Sequence, residues 1–169
     1  GLLEKIADRD NLNKAYKKVR SNKGKLGVDG MTVDELLTFL KENGEGIRQA
    51  IMDGTYSPKP VRRVEIPKAD GGVRLLGIPT VLDRMIQQAI AQVLSPIYEE
   101  EFSDNSYGLR PGRNAHQAIR KCKEYIDAGY NWLVDIDLAK YFDTVNHDKL
   151  MRLLSNKIKD GRVLSLIRK

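Results

Sequence analysis

The sequence predicts a helix-rich α+β fold, and three observations support this prediction. Most segments repeat apolar residues at the helical period and are separated by capping residues or glycines. Two short β-like runs flank a turn sequence, which is typical of an antiparallel hairpin. A third run, residues 132–138, alternates apolar with mostly acidic side chains and predicts one further strand. The chain has 169 residues, 41% of them hydrophobic, which is enough for a hydrophobic core.

A basic helix and a loop are predicted near the beginning of the sequence. Residues 10–20 place apolar side chains on one helical face, and Asp10 is the predicted N-cap. Residues 22–30 contain three glycines among polar residues and predict a loop. Between Lys14 and Lys25 there are six cations and no anion, so this part of the chain concentrates positive charge.

The next helices are predicted from their capping residues. Thr32 and Glu35 have the spacing of a capping box, and the helix that they begin is expected to end near residues 43–44. Residues 46–53 predict another short helix. The prolines within residues 58–60 prevent it from continuing.

The two β-like runs are residues 61–66 and 73–78. The turn between them has Asp70 and Gly71 at its tip, which is typical hairpin chemistry. The hairpin carries four cations, which are Arg62, Arg63, Lys68 and Arg74. The hairpin is therefore a second concentration of positive charge.

The segment after the hairpin is predicted to be helical and then irregular. Thr80 and Asp83 open a helix, and Ser95 followed by Pro96 has the pattern of a cap and first helical residue for the next one. Residues 106–113 are interrupted by glycine and proline and predict an irregular loop.

The remaining helices are again predicted from caps and breaks. Asn114 is expected to cap a helix that ends near Asp127 and is closed by Gly129. Another helix is expected to begin at Asn146. The Asp-Gly pair at 160–161 separates it from a final helical segment.

The formal net charge of +6 is distributed unevenly along the chain. Segments 1–25, 58–74 and 110–125 carry +5, +3 and +4, and acidic segments lie between them. Such blocks are either solvated helix faces or parts of one surface that binds a polyanion, because Lys and Arg hold phosphates. Aromatic residues make up only 7% of the chain, which argues against a binder of single strands that depends mainly on stacking.

Cysteine content and hydropathy exclude several classes of protein. The single cysteine, Cys122, excludes an internal disulfide framework and a cysteine-based zinc site, and it suits a reducing compartment. No apolar run approaches the ~18 residues that are needed to span a bilayer. The composition is that of a globular chain.

The carboxylates of residues 134–145 (VDIDLAKYFDTV) are the strongest chemical signal that the spacing offers. A strand that ends in an aspartate presents a hard oxygen ligand of the kind that Mg²⁺ prefers, and nucleotidyl transfer by two metal ions requires such ligands. One strand does not supply enough of them, so other carboxylates must contribute. Alternatively, Asp135 and Asp137 face solvent and Asp143 caps a helix.

Three longer motifs, in the same order, resemble reverse transcriptases, and among these the proteins encoded by bacterial group II introns. They are RRVEIPKADGGVRLLGIPTVLDRMIQQAI at 62–90, FSDNSYGLRPGRNAHQAI at 102–119 and LVDIDLAKYFDTVNHDKL at 133–150. The loop GVDGMT at 27–32 is similar to the amino-terminal extension of that family's fingers. The resemblance extends over nearly the whole chain.

The resemblance implies the fingers and part of the palm of a right-hand polymerase. It implies fingers at 1–130, with an amino-terminal extension at about 1–57 and a hairpin at about 60–78. The start of a truncated palm is implied at 131–169. The fold expected from the family is therefore an α+β fold with a short antiparallel hairpin and a palm strand.

The resemblance also implies roles for individual residues. Asp137 matches the first catalytic aspartate of the palm, a metal ligand next to the backbone carbonyl of Leu138. Phe142 matches the bulky residue that excludes a 2′-hydroxyl. The other implied nucleotide contacts are Lys68, Arg74, the weaker candidate Arg63, Arg110 and Gln117. The RNA contacts predicted from the basic segments are Lys14, Lys17, Lys18, Arg20, Lys23, Lys25, Arg113, Arg120, Lys121 and Lys123.

One departure from the family pattern limits what the chain is expected to do alone. The family's second metal motif contains an Asp-Asp pair, and the sequence contains none. Only one of the three expected aspartates is present. We therefore expect the chain to be the RNA-binding amino-terminal part of a larger enzyme and to be inactive in DNA synthesis by itself.

Three functional hypotheses remain open at this point. The first is part of an RNA-directed DNA polymerase and splicing maturase that uses Mg²⁺, intron RNA, an RNA template and a DNA primer. It would act in the bacterial cytoplasm as a ribonucleoprotein, without a membrane. The second is a non-enzymatic module that binds structured RNA, and the third is a reverse transcriptase of another bacterial retroelement. We also expect exposed apolar residues to favour a homodimer; they are Leu164, Leu166 and Ile167.

Overall fold

The computed structural model describes residues 1–69 and 71–169, so Asp70, at the predicted hairpin tip, lies outside the described residues. The elements are α1 (Leu2–Ile6), α2 (Arg9–Asn22), α3 (Leu36–Met52), β1 (Arg62–Pro67), β2 (Val73–Ile78), α4 (Val81–Glu99), α5 (Ala115–Asp127), α6 (Tyr141–Thr144), α7 (His147–Lys157) and α8 (Gly161–Arg168). The chain thus has the predicted helix-rich α+β fold with an antiparallel hairpin.

The chain forms two compact units with different interiors. Unit 1 contains residues 1–94 and 147–169, and unit 2 contains residues 95–146. Among the described residues, the buried apolar side chains all belong to unit 1; they are Leu3, Ile6, Ala7, Ala15, Val19, Val33, Leu36, Ile51, Val81, Met85, Ile86, Ala89, Ile158 and Val163. Unit 2 keeps large apolar side chains at its surface. The expected boundary between fingers and palm at residue 130 follows the family resemblance and stays a prediction.

The basic helix is confirmed, but its predicted cap is wrong. α2 begins one residue earlier than expected, and Asp8 caps it by accepting hydrogen bonds from the backbone N–H groups of Asp10 and Asn11. Ala15 and Val19 are buried, so the face of the helix that carries them packs into the core of unit 1. Asp8 is the better cap because its extended backbone aims the carboxylate at N–H groups that have no partner within the helix.

The predicted end of the next helix near residues 43–44 is also wrong. Thr32 and Glu35 do exchange the hydrogen bonds of a capping box, but α3 then continues as one helix through Gly44 and Gly46 to Met52. A glycine costs a helix about 1 kcal/mol relative to alanine. Burial of apolar side chains at both ends of α3 offsets this cost.

Pro96 lies inside α4 rather than at the start of a new helix, so that prediction is wrong as well. Thr80 and Asp83 open α4 as expected, since the Thr80 Oγ1 accepts from the Asp83 N–H at 3.1 Å. The buried residues of α4 all lie in its first half, between Val81 and Ala89. That half is anchored in the core, and a single proline removes only one helical hydrogen bond further along.

The hairpin is confirmed, with a shift of one residue in its first arm. β1 and β2 pair in antiparallel register, with Arg62 opposite Ile78 and Pro67 opposite Val73. Gly71 has a φ of +83°, which suits a residue without a side chain in a tight turn. Three of the four cations therefore lie on the two strands, and Lys68 directly follows β1.

The predicted strand at 132–138 is wrong for the described residues, since this segment forms no strand there. Its apolar side chains are largely exposed, with Trp132 at 97% and Ile136 at 78%. Alternation alone does not make a strand, because the backbone N–H and C=O groups need a neighbouring strand. The described sheet contains only β1 and β2.

The predicted loop at 106–113 and the later helices are confirmed. Asn114 caps α5 in a reciprocal capping box, and Gly129 closes it with a φ of +96°. The helix expected from Asn146 is α7, which begins at His147, and Asp160 caps α8. The short helices α1 and α6 were not predicted, because five and four residues are too few to show helical periodicity.

The last helix is packed more closely than the sequence suggested. The Asp160 carboxylate accepts a hydrogen bond from the Leu3 N–H at 3.2 Å, and Ile158 and Val163 are buried. The three apolar residues expected to be exposed are instead half-buried; they are Leu164, Leu166 and Ile167. The larger exposed apolar surface belongs to unit 2.

Candidate functional site

The outer face of α2 and the loop that follows it form a surface of free cations. The cations of this surface are exposed, and none forms an ion pair within residues 1–69 and 71–169; they are Lys14, Lys17, Lys18, Arg20, Lys23 and Lys25. We call these six residues the α2 surface. Because no carboxylate neutralises it, the α2 surface is suited to bind a polyanion.

Hydrogen bonds to α1 and α4 hold in place the helix that carries the α2 surface. The Asn11 side-chain amide donates to the carbonyls of Ile6 and Ala89, and Gln92 donates to Asn11 in return. The Arg84 guanidinium donates to the Lys25 carbonyl at 3.0 Å, which fixes the following loop against α4. The cations therefore sit on a rigid support, although their own side chains are exposed.

A close approach of two backbones fixes the same loop further along. A Cβ atom at Gly27 would lie only 2.7 Å from the Thr80 Cα, closer than any side chain tolerates. Glycine is therefore required here, because the loop lies directly against the start of α4. This close approach accounts for one of the three glycines in the loop at residues 22–30.

The hairpin separates one of its three implied nucleotide contacts from the other two. Ile66 pairs with Arg74, and the Lys68 N–H donates to the Gly72 carbonyl at 2.7 Å, which extends the same register by one pair. Alternation therefore places Lys68 and Arg74 on one face, and Arg63 on the other. Lys68 and Arg74 are placed to act together, whereas Arg63 is not.

A buried aspartate fixes the segment that leads into the hairpin. The Asp83 carboxylate accepts from the Tyr56 hydroxyl, from the Thr80 hydroxyl at 2.6 Å and from the Lys59 N–H at 3.2 Å. Burial, together with the hydrogen bond to Asp83, raises the pKa of Tyr56 above its ordinary value. The sequence analysis missed this link, because Tyr56 and Asp83 are 27 residues apart and no short motif joins them.

Arg110, a predicted nucleotide contact, is engaged within unit 2. Its guanidinium binds the Glu99 carboxylate at 2.7 Å and the carbonyls of Ser103 and Ser106, and it lies 5.3 Å from the centre of the Phe102 ring. Only 7% of the side chain is exposed. Here Arg110 organises the irregular loop, and its contact with a nucleotide stays a prediction.

Most of the other cations between 110 and 125 also have partners. Arg113 pairs with Asp104, Lys121 with Glu124 and Lys123 with Asp127. The hydrogen bond with Glu124 raises the pKa of Lys121 above its ordinary value. Gln117 completes the capping box of α5. In the part of the chain that the structure describes, Arg120 is the cation of this segment without an ion-pair partner.

The proposed metal ligand lies in an exposed, irregular segment. Asp137 and Leu138 precede Lys140, whose φ of +50° turns the chain into α6. The ring of Phe142 is 85% exposed and contacts the Tyr141 ring at a centroid distance of 5.3 Å. The Asp137 carboxylate and the Leu138 carbonyl are oxygen ligands of the type that Mg²⁺ takes.

These two oxygen atoms would supply only part of a magnesium site. No group of three or more potential metal ligands of the His, Cys, Asp and Glu type occurs within the described residues. Mg²⁺ commonly binds through one or two carboxylates together with water and substrate phosphates, so Asp137 fits the ion as one ligand of a shared site. The remaining ligands would have to come from outside this segment.

The sequence is similar to known reverse transcriptases and intron proteins. The family model described as reverse transcriptase (RNA-dependent DNA polymerase) matches residues 66–167. The chain is 39% identical over 172 residues to Protein YkfC of Escherichia coli and 40% identical over 156 residues to the Group II intron-encoded protein LtrA of Lactococcus lactis. These alignments cover 98% and 92% of the chain, but 45% and 26% of the two relatives.

A eukaryotic relative shows the same similarity over a shorter range. Nuclear intron maturase 1, mitochondrial, of Arabidopsis thaliana is 38% identical over 89 residues, which is 53% of this chain and 12% of that protein. The chain therefore spans less than half of the length of each relative described here. No helix among the described residues has the length and hydrophobicity of a membrane span.

Proposed function

Because the chain belongs to the reverse transcriptase family and is of the group II intron type, we propose that it supplies the fingers and the start of the palm to an RNA-directed DNA polymerase. In this proposal the α2 surface binds intron RNA. Lys68 and Arg74 hold the incoming triphosphate, and Asp137 with the Leu138 carbonyl holds Mg²⁺. When bound, Mg²⁺ neutralises charge on the reacting phosphates.

The observation that carries this proposal is the absence of ion pairs on the α2 surface among the described residues. If the charge of residues 14–25 served only to solvate the helix, interspersed carboxylates would be expected to neutralise part of it. Instead four cations project from a helix whose opposite face is buried, and two more lie in the loop that follows it. Nucleic-acid phosphates are a partner that such a surface attracts, and family membership indicates RNA.

Several further parts of the proposal rest on family membership. They are a role in intron splicing as a maturase, an RNA template and DNA primer as substrates, and the bacterial cytoplasm as the place of action, within a ribonucleoprotein. The exclusion of a 2′-hydroxyl by Phe142 belongs with them, as does contact of Arg110 and Gln117 with the nucleotide. Dimerisation through exposed apolar surface is proposed on physical grounds alone.

A separation of two functions tests the proposal. The test uses a longer protein, in which this chain is joined to the remaining length of its relatives. In that protein Asp137→Ala should abolish primer extension on an RNA template. Its affinity for intron RNA should change by less than about twofold, because the carboxylate makes no favourable contact with phosphate in the absence of metal. Replacing Lys14, Lys17, Lys18 and Arg20 with Gln should weaken RNA binding and reduce its salt slope by about 3, because each phosphate contact contributes about 0.7–0.9.

The matched control removes the same charge elsewhere. Lys5, Lys41, Arg152 and Arg168 lie on other helices, and replacing all four with Gln lowers the net charge equally. If this control weakens RNA binding as much as the α2 variant does, the α2 surface has no special role. If Asp137→Ala retains primer extension, the assignment of the palm aspartate is wrong.

The alternative function is a non-enzymatic module that binds structured RNA. It is favoured because no group of three or more potential metal ligands of the His, Cys, Asp and Glu type occurs among the described residues. The chain alone, mixed with dNTPs, Mg²⁺ and a primed RNA template, should give no extension. Robust extension by the chain alone would contradict the requirement for further carboxylates. Loss of primer extension in the longer protein on Asp137→Ala distinguishes the enzyme from a module that only binds RNA.

A further inference from the structure

A groove of ≈ 550 Å³ lies within unit 2, between the irregular loop and the polar face of α5. We call it the tyrosine groove, because Tyr107 and Tyr125 line it together with Arg113, Arg120 and Lys121. The chain is poor in aromatic residues overall, so two tyrosines in one groove are a local enrichment that composition conceals. Aromatic rings and cations in one groove suit a ligand that has both a flat ring and a negative charge.

Each tyrosine ring of the groove lies beneath a cation. The Arg113 guanidinium carbon is 5.6 Å from the centre of the Tyr107 ring, and the Lys121 Nζ is 5.1 Å from the centre of the Tyr125 ring. A nucleobase stacks on tyrosine and on guanidinium planes alike, whereas an ammonium group above a ring can move to a nearby phosphate. Tyr125 is 43% exposed and Tyr107 is half-buried, so a base would stack on the open part of the Tyr125 ring or displace the cation that lies over a ring.

The cations of the groove are only weakly held by carboxylates. Asp104, the partner of Arg113, is 99% exposed, and the pair is 3.3 Å long. The pair between Lys121 and Glu124 is also exposed, and exposed pairs contribute little. Arg120 has no ion-pair partner among the described residues. A phosphate can therefore compete for all three cations at low cost.

The groove is preorganised on a rigid support. Arg110 ties the loop to Glu99 and to two backbone carbonyls, and the capping box of Asn114 and Gln117 fixes the start of α5. Gln117, Arg120 and Glu124 lie on one face of the helix by their spacing. The exposed apolar residues Ile119 and Ile126 lie on the opposite face, so covering that apolar face would leave the groove open.

We propose that the tyrosine groove binds unpaired nucleotides of single-stranded RNA, with a base stacked on Tyr107 or Tyr125 and phosphates bound by Arg113, Arg120 and Lys121. This inference deepens the proposed function and rests on it for the choice of RNA as the ligand. It adds a base-stacking site in unit 2 to the phosphate-binding α2 surface in unit 1. The ligand is recognised as a flat base joined to a phosphate, not by its sequence.

The experiment compares two labelled probes of equal charge by fluorescence anisotropy on the 169-residue chain. One probe is a uridine oligomer of about twelve nucleotides, and the other is an abasic ribose-phosphate oligomer of the same length. Joint replacement of Tyr107 and Tyr125 with Leu should weaken binding of the uridine oligomer at least about tenfold, because stacking contributes that much per base. Binding of the abasic oligomer should not change.

Conservative and charge variants complete the test. Joint replacement of the two tyrosines with Phe retains the rings and should retain binding of the uridine oligomer. Arg120→Gln should lower the salt slope for both probes by about 0.7, whereas Arg152→Gln, which removes an equal exposed charge outside the groove, should not. Arg120 is exposed, so its variant remains informative if a tyrosine variant fails to fold.

The outcomes distinguish the groove from the proposed function. If the Leu variant binds the uridine oligomer as the parent does while the α2 variant loses binding, the groove proposal is overturned and RNA binding by the α2 surface stands. If the parent chain binds neither probe, both proposals fail. Equal competition by a polyglutamate peptide of the same charge would overturn the groove proposal in favour of an acidic protein partner.

Discussion

The cations of residues 14–25 and those of residues 110–123 contribute similar charge, but their surroundings differ. None of the six cations in the first segment forms an ion pair within the described residues. Four of the five in the second segment do; they are Arg110, Arg113, Lys121 and Lys123. The net charge of a sequence segment therefore indicates its attraction for RNA only where its cations are not already paired with nearby carboxylates.

The paired cations differ further in how tightly they are held. The pairs of Lys121 and Lys123 are exposed on one helix, and such pairs stabilise a protein by only about 0–1 kcal/mol. Arg110 is buried and makes several charge-assisted hydrogen bonds, so its removal leaves polar groups without partners. The molecule thus contains free, exchangeable and structural cations, and the three classes respond differently to mutation.

The largest expected difference between the two regions is in stability. Arg110→Gln should lower the free energy of unfolding of the region around residues 99–113 by about 3 kcal/mol, because Glu99 and two carbonyls lose their donor. Lys17→Gln, the matched change on α2, should alter stability by less than about 0.5 kcal/mol, because it breaks no ion pair among the described residues. Hydrogen exchange of backbone amides at 103–113 measures the first effect, and urea denaturation the second.

The substitution Arg110→Lys tests whether the positive charge or the planar geometry of the guanidinium group is important at this position. Lysine keeps the charge but cannot reproduce the planar fork, so it should recover less than half of the lost protection. If both Arg110 variants leave amide exchange unchanged, Arg110 is not a structural cation. It would then be available to a ligand, as the family resemblance implied, and the comparison between the two regions would fail.

Local chemistry allowed much of the fold to be predicted from the sequence. The hairpin follows from its turn residues, and the helix beginning at Asn114 follows from a cap whose partner is three residues away. The prediction failed where distant packing overrode local signals. α3 continues through two glycines because the core holds both of its ends, and the run at 132–138 lacks a neighbouring strand in the described structure.

The candidate site was predictable only in part. The cations of α2 could be identified from sequence, since a stretch with no interspersed acid leaves little opportunity for local pairing. The separation of Arg63 from Arg74 follows from strand register, which turn chemistry only suggests. Tyr107 and Tyr125 line the same groove because a loop folds back on a helix, and no spacing rule indicates this arrangement.

A smaller effect is expected at the cap that supports the second region. Asn114→Ala should destabilise α5 by about 1 kcal/mol, because the Gln117 N–H loses its acceptor and the reciprocal bond is weakened. Asn114→Asp retains an acceptor and should preserve stability. Thermal denaturation followed by circular dichroism measures both variants. RNA binding through α2 should be the same in both, and a parallel loss would show that the two regions are coupled.

The smallest expected effect is the loss of stability at acidic pH that comes from the pair between Arg162 and Asp160, which lies outside both segments. The hydrogen bond from Arg162, at 3.0 Å, and the Leu3 N–H lower the pKa of Asp160 below its ordinary value. The folded chain therefore binds this proton less tightly than the unfolded chain does. The stabilisation is fully present above the unfolded pKa of about 4 and is lost as the pH falls through the lower folded pKa.

Asp160→Asn isolates this charge, because asparagine keeps the cap of α8 while removing the titrating group. The melting temperature of the parent should fall from about pH 5 to pH 2.5 more steeply than that of the variant. The α2 variant lacks four lysine and arginine charges but retains Asp160, so its acid slope should match that of the parent while its RNA binding is lost. If Asp160→Asn left the dependence of the melting temperature on acidic pH unchanged, the pair with Arg162 would be an exchangeable surface pair like those of Lys121 and Lys123. Pairing alone would then not identify a cation as structural.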